Sequence, residues 1–191
     1  MNENIEMNED IKMSDNIINY MKNDLFFLNK EFKFYVEEGS EQFRKIEYRP
    51  VTQHSDYKET LNLFLTNTTP EFFKLKTLKE VISKSIADIE DKLFVEQVFF
   101  IKIESDNKDE EMFITSYILE GKKYIEIITQ FWFMLDGKIT YIQFAKIIGK
   151  KKFNGTFLDK NHSAEDVEKM ITYLNELRLD IKKEFENGNT K

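Results

Sequence analysis

The chain has 191 residues, with 28 Lys and Arg against 35 Asp and Glu, a formal net charge of −7 and no cysteine. The missing cysteine excludes disulfides, thiolate nucleophiles and Cys-ligated zinc or iron–sulfur clusters. The acidic balance, with Arg44, Arg49 and Arg178 as the sole arginines, argues against nucleic-acid binding, because phosphate recognition needs a cationic, arginine-rich surface.

Residues 1–13 are acidic and Asn-rich with no strong period, and are read as a flexible lead-in. This is the opposite of the basic-then-apolar layout of a secretory signal. The longest charge-free apolar stretch, Ile127–Leu135, is about half of what a bilayer requires. A cytoplasmic protein with no transmembrane segment is therefore expected, with residues 14–188 forming one α+β domain.

Ser14 caps a predicted helix with apolar residues at Ile17, Ile18, Met21 and Leu25. The period then changes to two. Phe32, Phe34 and Val36 mark a first strand, Glu37–Ser40 a turn, and Phe43–Arg49 a second strand that Pro50 ends. Val51–Glu59 reads as a polar loop and Leu61, Leu63 and Leu65 as a third strand. After a connector carrying Pro70, Phe72 and Phe73, Thr77 and Glu80 form a capping box. Leu78, Val81, Ile82, Ile86 and Ile89 then share one helix face.

Four strands follow, at about Phe94–Glu104, Met112–Glu120, Lys123–Leu135 and Lys138–Gly149. Their links are short, and Asp136-Gly137 is a two-residue hairpin signal, so the strands form an antiparallel meander. Neither face of this meander is consistently polar. Both must be covered by helices or a partner, or the sheet must curl round a cavity. Ser163 and Asp166 open a last helix with Val167, Met170, Ile171, Leu174, Leu177, Ile181 and Phe185 on one stripe, and Gly188 is expected to stop it. The expected architecture is a twisted antiparallel sheet of about seven strands, in the order α-β-β-β-α-β-β-β-β-α, with helices packed on it.

Two resemblances attach to these residues. The hairpin around Glu37–Ser40 with Phe43-Arg44-Lys45-Ile46-Glu47-Tyr48, the Leu61–Leu65 strand, the Thr77 helix, and the block from Gly121-Lys122-Lys123-Tyr124 to Gln143-Phe144 together resemble the Mog1/PsbP-like fold, over about residues 31–187. That group includes DcrB-type proteins and the Eag chaperones of type VI secretion effectors. The resemblance implies helices on both faces of the sheet and, by similarity to the chaperones, a hydrophobic sheet surface that shields a client's apolar segment. Separately, Phe131–Ile139 looks like the last hairpin of NTF2-like domains, which implies a conical sheet around a pocket.

The chemistry-bearing residues are sparse. His54 beside Asp56 has the makings of a general base, but a polar loop holds such residues without chemistry. His162 with Asp159, Glu165 and Asp166 offers one histidine beside a helix start, where acids are favoured anyway. Ser105–Glu111 is acidic but lacks the central glycine and ligand spacing of a calcium loop. Among the sheet glutamates Glu96, Glu104 and Glu126, the last shares a face with Tyr124, Gln130 and Trp132, and is the best candidate for a perturbed carboxylate. No catalytic residue, metal site or cofactor is assigned.

The feature that remains is aromatic. Tyr124, Ile128, Trp132, Met134 and Phe144, with Phe100 and Ile142, are expected to form one apolar face, and Phe72 and Phe73 its rim. Such a stripe is core or a groove for a partner's helix or peptide. The favoured reading is a non-catalytic binding module, adaptor- or chaperone-like, for a protein partner. The alternatives are an NTF2-like small-molecule pocket or enzyme using Glu126, and an acidic immunity or inhibitor protein.

Overall fold

The computed structural model describes residues 23–40, 42–53, 57–90, 95–103, 110–152 and 164–189. Its strands are β1 (Leu25–Phe27), β2 (Lys30–Ser40), β3 (Phe43–Pro50), β4 (Tyr57–Thr66), β5 (Val95–Ile103), β6 (Met112–Glu120), β7 (Tyr124–Leu135) and β8 (Lys138–Gly149). Among the described residues two helices accompany them, α1 (Leu78–Glu90) and α2 (Ala164–Asn189), with short 3-10 turns at Pro70–Phe73 and Lys150–Lys152. The result is an α+β architecture around one open antiparallel sheet.

The sheet has eight strands rather than seven, in the order β1-β2-β3-β4-β8-β7-β6-β5. The additional strand is β1. Leu25, expected to close the first helix, instead pairs with Phe32. The reason is local: Leu28 and Asn29 both take positive φ (49° and 59°), which makes a two-residue hairpin and folds Phe27 into the core. The rest of that expected helix lies outside the described residues. β4 also starts earlier than expected, because Tyr57–Thr60 continue the ladder against Ala145–Ile148 of β8.

Two meanders make the sheet. β1–β4 run in sequence, β5–β8 run in sequence, and β4 joins β8 edge to edge. α1 carries the chain from one to the other. The expected turns divide: Asp136-Gly137 turns as predicted, whereas Glu37–Ser40, expected to turn, pairs with Phe43–Ile46 as the end of β2, so the reversal falls between Ser40 and Phe43. Asp136 (φ 50°) and Gly137 (φ 70°) turn β7 into β8. At Gly39 (φ 150°) a Cβ would stand 2.1 Å from the Phe43 carbonyl oxygen, so the β2–β3 hairpin requires glycine there. The capping box at α1 also forms: the Glu80 N–H donates to Thr77 Oγ1 at 3.2 Å, and the Thr77 N–H donates back to Glu80 Oε2 at 3.3 Å, an oxygen that also accepts from the Lys76 N–H at 2.6 Å.

Each face of the β5–β8 meander carries a helix, as its two-sided apolar pattern requires. On one face Met170, Leu174 and Ile181 of α2 pack on Phe131, Phe133, Ile142, Phe144 and residues of β2–β4 and β6. On the other, Leu78, Val81 and Ile82 of α1 pack on Phe113, Trp132 and Ile139. Each such side chain is worth about 1.5–3 kcal/mol when fully buried, so the two helices clamp the sheet from both sides. α2 runs through Gly188 to Asn189 rather than stopping before it. No helix among the described residues is long and apolar enough to cross a membrane.

Candidate functional site

Strand alternation splits the expected apolar face. Tyr124, Ile128, Trp132 and Met134 are even-numbered on β7 and share the α1 side. Phe144 is paired with Thr129 and packs with Phe27 and Phe131 under α2. Phe144 and Ile142 therefore lie on the opposite side of the sheet from the other members, a correction that follows from register alone. The β7 residues are also divided along the strand. Trp132 is 6% exposed and stacks on Tyr141 with ring centroids 4.2 Å apart, while Tyr124, at the far end, is 48% exposed. Ile128 is buried with Tyr117, Ala145 and Ile89. Trp132 and Ile128 are thus core beneath α1.

Two cross-strand rows on this side were not visible in the sequence. The first is aromatic. Phe43 packs on Phe64 (5.7 Å), Phe64 stacks on Tyr141 (4.3 Å), Tyr141 on Trp132 (4.2 Å), and Phe113, paired with Trp132, stacks on Phe100 (5.3 Å). The second row lies one pleat further along and is polar. Trp132 Nε1 donates to Thr115 Oγ1 (3.1 Å), Thr115 donates to Gln130 Oε1 (3.2 Å), and Gln130 Nε2 donates to Gln143 Oε1 (2.9 Å). Gln143 is in register with Asn62, and Asn62 with Glu47. Asn62 donates to Thr60 Oγ1, but its buried Oδ1 has no hydrogen-bond partner among the described residues. These cross-strand contacts favour the observed register, since a slip of one residue would send each row's side chains to the opposite face of the sheet.

Burial pushes the Glu47 carboxyl up, but hydrogen bonds from Lys45 Nζ (2.7 Å) and Arg49 Nε (2.8 Å) outweigh it and hold it below the usual range. Glu126 is half-buried on the same side, and burial raises its carboxyl. Tyr141 is pushed up to about 12 by burial, and Tyr117 is raised as well, by burial and then by Tyr141 and Glu126. On the α2 side a smaller polar island has the Ser116 and Thr129 hydroxyls 2.7 Å apart, and Glu59 held by Lys30 at 2.6 Å.

The remaining expected residues converge elsewhere. Pro70 starts the 3-10 turn, where its fixed φ is accommodated, and Lys74 ends it at φ 58°. The Lys74 and Leu75 N–H groups donate back to the Glu71 and Pro70 carbonyls (2.8 and 3.1 Å). This rigid turn displays Phe72 and Phe73, 65% and 39% exposed and edge to face at 5.3 Å. Beside it opens a cleft of about 740 Å³, lined by Thr69, Pro70, Glu71, Lys76, Thr77, Leu78, Met134, Gly137, Glu110, Glu111 and Lys182. Of the expected residues, Met134 lines this cleft, and Phe72 and Phe73 directly follow its lining residue Glu71 in sequence.

The wall of the cleft is fixed by an ion cluster the sequence did not disclose. Arg178, inside the apolar stripe of α2, is buried and donates to Glu110 Oε1 at 2.7 Å, and Lys182 meets the same oxygen at 2.5 Å. At the mouth, hydrogen bonds from the Thr69 hydroxyl and from its own backbone N–H hold the Glu71 carboxyl below the usual range.

His54, Asp56, His162, Asp159, Glu104 and residues 105–109 lie outside the described residues, as do the side chains of Glu96, Glu165 and Asp166. Among the described residues no three His, Cys, Asp or Glu converge as a metal site. No protein-family model matches the sequence, and no curated protein matches it either.

Proposed function

We propose that the chain is a non-catalytic protein-binding module whose contact surface is the Phe72–Phe73 turn and the adjoining cleft. One observation carries this: two aromatic rings stand in solvent on a turn stiffened by Pro70 and two backbone hydrogen bonds, next in sequence to Thr69–Glu71 of an open cleft whose lining includes Pro70, Leu78 and Met134. Exposed, preorganised aromatics beside a cleft of mixed polar and apolar lining suit a partner's anchor residue, and methionine adapts to what it receives. The sheet with a helix on each face supports kinship with the Mog1/PsbP-like group, although the aromatic sheet face itself serves as core.

Site-specific photo-crosslinking tests the reading in living cells. A crosslinker replacing Phe72 is expected to trap a defined partner, and the Phe73→Ala change to reduce that product. A crosslinker at Leu179, 50% exposed on α2, serves as the control. Equal, diffuse labelling at Phe72 and Leu179 refutes the proposal.

A further inference from the structure

We infer that the far end of the β7–β8 hairpin is a peripheral docking surface for an anionic membrane, built from two lysine clusters that the fold sets side by side. Gly121-Lys122-Lys123 and Gly149-Lys150-Lys151-Lys152 are separate stretches of the sequence. The register makes them neighbours: Tyr124 pairs with Gly149, and the Lys150 N–H donates to the Lys123 carbonyl at 3.0 Å. All five lysines are exposed. Glu120 pairs with Lys150 and offsets one charge, whereas Lys122, Lys123 and Lys151 meet no carboxylate among the described residues. On a chain of net charge −7, this corner is strongly positive and the remainder is more acidic than the whole.

Three features favour a lipid surface over a nucleic acid or a single bound phosphate. First, the cations here are all lysines. The three arginines, whose forks grip one phosphate, lie elsewhere and donate to Glu37, Glu47 and Glu110. A lysine is a point charge on a flexible stem, which suits a diffuse negative surface. Second, Tyr124 stands between the two clusters, 48% exposed, so close over Gly121 that a Cβ there would lie 3.2 Å from its ring. A tyrosine among lysines is the amphipathic side chain that sits at headgroup level. Third, an anionic surface repels the acidic remainder and attracts this end, so the field fixes the orientation. Gly137, at the opposite end of the same hairpin, lines the cleft beside Pro70, so docking leaves the cleft on the far side.

Co-sedimentation of the full chain with vesicles tests this at about 0.1 M salt, where the screening length is about 10 Å. The wild type is expected to pellet with vesicles of equal parts phosphatidylserine and phosphatidylcholine, and to stay in solution with phosphatidylcholine alone. Lys122→Gln/Lys151→Gln is expected to weaken partitioning by about 25-fold, at about five-fold per lysine. The charge-matched Lys79→Gln/Lys183→Gln, exposed on α1 and α2, is expected to leave it close to unchanged, which separates the patch from net charge. Tyr124→Ala is expected to weaken it several-fold with the same salt dependence. Every site is exposed, so all three variants should keep the wild-type circular dichroism.

Equal pelleting with both vesicles, no pelleting with the anionic ones, or pelleting that survives the Lys122 and Lys151 changes overturns the inference. Release by inorganic phosphate at matched phosphate concentration also overturns it, in favour of a single-phosphate site. A single-stranded oligonucleotide that strips the chain from anionic vesicles at matched phosphate and salt overturns it in favour of nucleic acid. The inference does not rest on the Phe72–Phe73 surface, and crosslinking there and vesicle binding here succeed or fail separately.

Discussion

Trp132 decides whether the aromatic side of β7 is core or contact surface. It is the single tryptophan, 6% exposed beneath α1, stacked on Tyr141 and bonded through Nε1 to Thr115. Replacing it with alanine leaves a cavity under Val81 and Ile82, which pack in the same cluster. Truncations of buried Trp or Phe cost about 3–5 kcal/mol, and the lost ring stacking falls within that range rather than adding to it. Thr115 loses one accepted hydrogen bond but keeps its bond to Gln130, so no further penalty is added. A loss of about 4 kcal/mol corresponds to roughly 8–16 °C in Tm for a chain of this size.

The measurement is urea unfolding followed by far-UV circular dichroism, with Tyr124→Ala as the matched control. Tyr124 lies on the same strand and the same side but is half exposed, so its loss should cost within about 0.5 kcal/mol. The reasoning fails if Trp132→Ala costs less than about 1 kcal/mol, or if the two variants cost the same.

Further outcomes follow from the same structure. Arg178→Ala should cost about 3 kcal/mol in chemical unfolding, at the low end for a broken buried ion pair, because Lys182 still holds Glu110. For Glu126, burial raises the folded pKa above the unfolded one. Its contribution to stability is therefore lost as pH rises through the carboxylate range, and Glu126→Gln should be more stable than wild type at neutral pH. That gap should close near pH 4, where the unfolded carboxyl is also protonated, and unfolding curves at the two pH values check it. Glu47 should behave with the opposite sign, its stabilisation being lost on acidification as Lys45 and Arg49 lose a charged partner. Phe72→Ala and Phe73→Ala should each change unfolding free energy by about 0.5 kcal/mol or less, since neither ring is buried.

Much of the secondary structure was legible because it is local. Asp136-Gly137 turned as expected, Thr77 and Glu80 capped α1, and Pro50 ended β3. β6 and β8 took their expected bounds. The period-two pattern, apolar on both sides, also announced that each side of the later meander needs a cover. Such signals are set within a few residues by backbone sterics and alternation.

The site was not legible, for two reasons. Which odd or even set of β8 shares a side with which set of β7 depends on register, and that separated Phe144 from Trp132. Arg178 reads as a break in an apolar stripe until Glu110, 68 residues away in sequence, comes to meet it.

By itself the sequence determined an acidic, cysteine-free α+β chain with an antiparallel meander and an amphipathic helix on either side of it in order. Tertiary structure decided that β4 closes against β8, that α1 covers Trp132 and Ile128, and that Phe72 and Phe73 are left in solvent beside a cleft. Alternation and turn chemistry act between neighbours along the chain. Coverage depends on where distant elements come to rest, and that depends on all of their contacts together.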